Sequence, residues 1–181
     1  MKYEDVITKI KVGGDYESST HLSQLENTIA YYEEEYNLEL NPFFQRGHVW
    51  TEEQQIAYIE FFLRGGVSAK TIYLNCPWFN DNKKEAYDMD MVCVDGLQRL
   101  TALRKFIANE LPVFGYYLKD FEDYNALLRC YTLSINVNDL KTIEEVLEWY
   151  IDFNSGGTVH SKEEIDRVKK LLDKERAKKS N

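Results

Sequence analysis

A chain of 181 residues, 44% hydrophobic and 14% aromatic with 13 tyrosines, carries enough apolar surface for one folded core, which excludes a disordered polypeptide. Its net charge of −9 argues against a broad DNA-binding face, since such affinity comes from Lys and Arg neutralising phosphates. Three scattered cysteines, Cys76, Cys93 and Cys130, form no C-x-x-C pair, which argues against a disulfide framework and a structural zinc site.

The first ~15 residues are polar, include Gly13-Gly14 and have no apolar signal-peptide core; they read as a flexible tail. No apolar run approaches the roughly 18 residues of a membrane span, so the expected setting is the cytoplasm, without a membrane partner. Residues 22–35 predict a helix with Leu22, Leu25, Ile29 and Tyr32 inward. Leu38-Glu39-Leu40 is a short extended piece closed by Pro42. Thr51 opens a second helix as a capping box with Gln54, its stripe being Ile56, Ile59, Phe62 and Leu63 and its end Gly65-Gly66. A strand is expected at 71–75, a polar loop at 76–90 and a buried strand at 91–94. A helix follows Asp95-Gly96, with Leu100, Leu103, Phe106 and Ile107 inward. Val113 to Leu118 reads as a strand, and Tyr131, Leu133, Ile135 and Val137 alternate as another. Thr142 with Glu145, and Ser161 with Glu164, are two more capping boxes, opening helices on either side of a 154–158 loop. The fold class is therefore α+β: one domain over 1–181, with its core at about 22–176, a small mixed sheet and helices packed around it. The segment 162–181 carries eight basic and five acidic side chains, a basic C-terminal helix on an otherwise acidic body.

Three segments carry the polar chemistry. In the first, a strand delivers Asp95, Gly96 allows a tight turn, and a helix N-terminus follows whose free N–H groups favour phosphate. Arg99 can fork onto phosphate oxygens, Gln98 can bond a phosphate or a water, and Asp95 can hold hydrated magnesium. The plain alternative is an N-cap aspartate and a surface arginine. The second segment, 41–50, sets Phe44, Gln45, Arg46 and Trp50 just before a helix, with Arg46 as a further phosphate contact and Trp50 or Phe44 as a stacking surface; it also fits simple aromatic packing. The third, 153–160, offers Asn154 and a Gly156-Gly157 nest, or merely a helix end. His21, His48 and His160 are scattered and support no metal-hydrolase motif. Cys93 reads as a small core residue.

Taken in order and spacing, Phe44-Gln45-Arg46…Trp50, Val94-Asp95-Gly96-Leu97-Gln98-Arg99-Leu100-Thr101 and Phe153-Asn154-Ser155-Gly156-Gly157-Thr158 resemble the N-terminal domain of GmrSD-type modification-dependent restriction endonucleases. The resemblance implies a ParB/sulfiredoxin-like fold in which the strand–turn–helix holds nucleoside triphosphate with Mg2+, in a phage-defence setting. Carried over, Asp95, Gln98 and Arg99 are the catalytic candidates and Asp95 the magnesium ligand. Gln45, Arg46, Gly96, Arg99, Thr101, Asn154, Gly156 and Gly157 are the nucleotide contacts. Leu97 stands where the family motif has a glutamine, and the turn lacks the cysteine of the sulfiredoxin branch, so sulfinic-acid reduction is not expected. The implied function is an NTP-binding switch, with slow hydrolysis as an NTPase in view, acting with DNA or with a protein partner that supplies the effector. The alternatives are a DNA-processing nuclease or nickase and a non-enzymatic acidic inhibitor.

Overall fold

The computed structural model describes residues 16–47, 49–66, 70–80, 84–155 and 162–179. Strands β1 (Tyr16–His21), β2 (Thr71–Asn75), β3 (Val92–Asp95) and β4 (Thr132–Asn138) form one sheet in the order β1-β4-β2-β3. β1 runs antiparallel to β4, β4 parallel to β2, and β2 antiparallel to β3. The helices are α1 (Leu25–Tyr36), α2 (Glu52–Leu63), α3 (Leu97–Ile107), α4 (Tyr124–Cys130), α5 (Ile143–Ser155) and α6 (Lys162–Lys179). The α+β expectation with a small mixed sheet holds.

Each face of the sheet has its own core. Ile72, Leu74, Cys93, Leu133, Ile135 and Val137 pack against residues of α1 to α4, while Val92 and Val94 pack with Phe44 against α5 and α6. The alternation foreseen in β4 thus buries Leu133, Ile135 and Val137 on one side. Glu39 bridges Val92 in parallel, its N–H donating to Met91 O (2.8 Å) and its carbonyl accepting from Cys93 N–H (2.9 Å), so the short extended piece covers the outer edge of β3.

The local signals explain most helix ends. Thr51 and Gln54 make both bonds of a capping box, and so do Thr142 and Glu145. α2 closes with Gly66 N–H on Phe61 O and Gly65 N–H on Phe62 O, both 3.0 Å, Gly65 being left-handed at φ +90°. Ser161 and the proposed tail 1–15 lie outside the described residues.

Two expectations change, and two elements, β1 and α4, come unforeseen. The Val113–Leu118 strand is instead a tight turn: Val113 and Tyr116 exchange backbone bonds (2.7 and 2.9 Å) around Phe114 and Gly115, both at positive φ. The buried stripe of α2 is Gln55, Tyr58, Ile59 and Phe62, with Ile56 and Leu63 only half-buried. Within that stripe the Gln55 amide nitrogen donates to Trp50 O (3.1 Å) and Thr51 O (3.3 Å). β1 has no apolar alternation to announce it, because it is an exposed edge whose order comes from pairing with β4. α4 buries only Leu128, too little for a helical stripe.

Candidate functional site

The turn between β3 and α3 is built on Gly96. It sits at φ +113°, and a Cβ there would lie 2.6 Å from Ile72 Cδ1 and 3.2 Å from Ile72 Cα. No other residue adopts that conformation in that space without displacing β2. Gly96, not Asp95, is the N-cap of α3, and it brings no side-chain cap, so the first-turn N–H groups rely on other partners. Leu97, at the glutamine position of the motif, is 8% exposed and packs into the core.

Asp95 and Arg99 form an ion pair one helical turn apart, Arg99 Nη2 donating to Asp95 Oδ2, with side chains 22% and 17% exposed. The pair sits at the edge of solvent, where an anion can compete for the guanidinium. Tyr58 of α2 faces the same arginine: burial raises its phenol pKa, and the Arg99 charge partly opposes the rise. Cys93 is fully buried, and its thiol is pushed up to about 12 by burial and by the Asp95 charge, so it is no nucleophile.

Gln98, expected among the catalytic residues, has its amide engaged by the neighbouring loop. Its Oε1 accepts from Val49 N–H (2.9 Å) and Trp50 N–H (3.2 Å), and its Nε2 donates to Gly47 O (2.7 Å). Both ends of the amide clasp the 47–50 loop. Gln45 clasps the other side of that loop, its Nε2 donating to Cys93 O at 2.6 Å. The 45–50 loop is therefore fastened to the turn, with the two glutamines as its fasteners.

Arg46, between the two clasps, points to Glu164 of α6, Nη1 to Oε2 at 3.0 Å, and stays 32% exposed. Phe44 is fully buried edge-to-face on Tyr150, so it offers no stacking surface; Trp50 is half-buried against Tyr58. The Thr101 hydroxyl bonds Leu97 O (2.8 Å) within its own helix. Asn154 is buried inside α5, donating to Tyr150 O (2.7 Å), rather than opening a loop. Gly156 and Gly157 lie outside the described residues.

Sequence reasoning missed Tyr58, Tyr150, Arg167 and the inward role of Glu164. Glu164 carries a capping-box signature, and nothing local says that it meets Arg46. A cleft of about 430 Å³ lies elsewhere, beside the N-terminal end of β3, with Glu39, Asp88, Asp90 and Glu175 among Phe43, Phe44 and other apolar residues; its four carboxylates suit no polyphosphate. Among the described residues no group of three or more His, Cys, Asp or Glu side chains stands together as a metal cage, and no helix is long and apolar enough to cross a membrane.

Fold and site together define an α+β domain with a glycine-built helix N-terminus, an Asp–Arg pair at its mouth and a clasped loop whose Arg46 pairs with Glu164 of α6. Residues 25–126 match the family described as the N-terminal domain of the GmrSD restriction endonuclease. The match covers over half of the chain, so this protein belongs to that family, which ties it to restriction systems. It includes the 41–50 loop and the Asp95 turn and ends before Asn154. No curated protein and no solved structure matched.

Proposed function

We propose that the Asp95–Arg99 turn binds the phosphates of a nucleoside triphosphate, and that the occupied state is passed to a partner carrying the DNA chemistry of a restriction system. The observation that carries this reading is Gly96: a backbone that only glycine can follow aims the open end of α3 at the Asp95–Arg99 pair. A triphosphate bound there takes Arg99 from Asp95, gaining a forked charge-assisted contact. Arg46 adds a second cation from the clasped loop.

Magnesium fits this donor set in one way. A lone carboxylate cannot cage a metal, but Mg2+ commonly rests on one or two carboxylates plus phosphate oxygens and water, and Asp95, freed from Arg99, supplies that carboxylate. When bound, the ion would offset phosphate charge. With Gln98 committed to the loop, Asp95 and Arg99 remain as the residues for phosphoryl chemistry.

Calorimetric titration of the protein with ATP, GTP, CTP and UTP, each with Mg2+, tests the reading. Saturable binding of at least one is expected. Absence of binding by all four would remove the nucleotide site and leave the family membership without a ligand.

A further inference from the structure

Arg46 is fastened on both flanks to the strand–turn–helix. Gln45 holds β3 through Cys93 O at 2.6 Å, and Gly47 O is held by Gln98 of α3 at 2.7 Å. The Arg46 backbone therefore lies alongside the Asp95 turn, while its side chain reaches the first turn of α6, where Glu164 Oε2 stands 3.0 Å from Nη1. Glu164 is 6% exposed, and its other oxygen accepts the Tyr150 hydroxyl at 3.0 Å. Arg167, three residues on, donates to Phe44 O (2.5 Å) and Phe43 O (3.4 Å), binding the same loop to the same helix.

A buried carboxylate is weak evidence for stability, because its desolvation offsets much of what the pair gains. Here its effect is to fix a guanidinium in space. Arg has five donors; among the described residues Arg46 meets Glu164 as an ion pair through one nitrogen, on a side chain one third exposed.

We propose that Glu164 is a positioning residue for the anion site: from α6 it holds the Arg46 guanidinium beside the Asp95–Arg99 turn, so that phosphate binding and the docking of α6 are coupled. The inference rests on the nucleotide reading above. Coupling is reciprocal, so a triphosphate that uses the held guanidinium also steadies α6. The C-terminal helix then becomes the element through which occupancy of the turn is reported, and the 42–47 loop the part that links them.

The test is a double-mutant cycle on the intact chain, with whichever of ATP·Mg, GTP·Mg, CTP·Mg or UTP·Mg the wild type binds. Glu164→Gln should weaken binding about five- to tenfold, and Arg46→Ala at least as much. Adding Glu164→Gln to Arg46→Ala should change affinity by less than about twofold, since Glu164 acts through that arginine. Nucleotide should also slow hydrogen exchange along α6 in the wild type and not in Arg46→Ala. Where Glu164→Gln does not fold, Tyr150→Phe, which keeps the ring and removes the donor to Glu164, takes its place in the cycle. Equal or tighter binding by Glu164→Gln, as expected if the carboxylate competes with phosphate for Arg46, overturns the proposal. So do losses that simply multiply in the double variant. A wild type that binds none of the four sinks the nucleotide reading and this inference together; a wild type that binds, with Glu164→Gln unchanged, sinks this inference alone.

Discussion

Replacing Gly96 with alanine isolates the geometry on which the site depends. Two costs arise. An L-residue held at φ +113° gives up about 1–2 kcal/mol in backbone energy. The new Cβ also falls 2.6 Å from Ile72 Cδ1 and 3.2 Å from Ile72 Cα; the methyl end can rotate, the backbone carbon cannot, and such overpacking costs about 1–3 kcal/mol more. The sum, about 2–5 kcal/mol, corresponds to a fall in Tm of about 4–20 °C for a chain of this length. Gly65→Ala is the internal control: φ is +90°, yet nothing lies within 4 Å of the added Cβ, so only the backbone cost of about 1–2 kcal/mol applies. Thermal denaturation followed by circular dichroism reads both variants. A Gly96→Ala protein no less stable than Gly65→Ala would refute the close approach of the turn to β2, and with it the argument that glycine is required there.

Gln98→Ala removes three bonds to the 47–50 loop and should cost about 1–3 kcal/mol in denaturant unfolding, with faster hydrogen exchange at the Val49 and Trp50 amides. Unchanged exchange at those two amides would contradict the clasp. Thr142→Ala breaks the capping box of α5 and should destabilise by about 1 kcal/mol, while Thr142→Ser should restore most of it. For pH, the Cys93 thiol is held neutral in the fold, up to about 12, while in the unfolded chain it ionises near its ordinary value of 9.0. Stability from this group is complete below pH 9 and declines as pH rises toward 12, because only the unfolded state releases the proton in that window. Cys93→Ala should flatten that alkaline limb in urea titrations, and an unchanged slope would exclude the mechanism.

How much was legible in the sequence depended on whether a signal is local. The Thr51–Gln54 and Thr142–Glu145 boxes, the Gly65-Gly66 stop and the alternation in β4 are written within a few residues and appear as read. The strand–turn–helix at 92–107 was legible because a buried apolar run, a glycine and a helical stripe follow one another. What failed was non-local. β1 is ordered by backbone pairing with β4, which side chains do not announce, and Phe114 at positive φ turned an apolar run into a turn. At the site, residue types and their approximate meeting place were readable, but their partners were not. Gln98 reads as a phosphate ligand until the loop fifty residues upstream occupies its amide, and Glu164 reads as a cap until Arg46 and Tyr150 meet it.

The measurement that bears most directly on the central claim is the affinity of the wild type and of Arg99→Ala for the same magnesium nucleoside triphosphate, with circular dichroism confirming an unchanged fold. Hydrogen bonds to charged groups contribute about 1.5–3 kcal/mol, so the account predicts at least a roughly tenfold loss in Arg99→Ala. Equal affinity in the two proteins would place the nucleotide somewhere other than the Asp95–Arg99 turn and contradict the account.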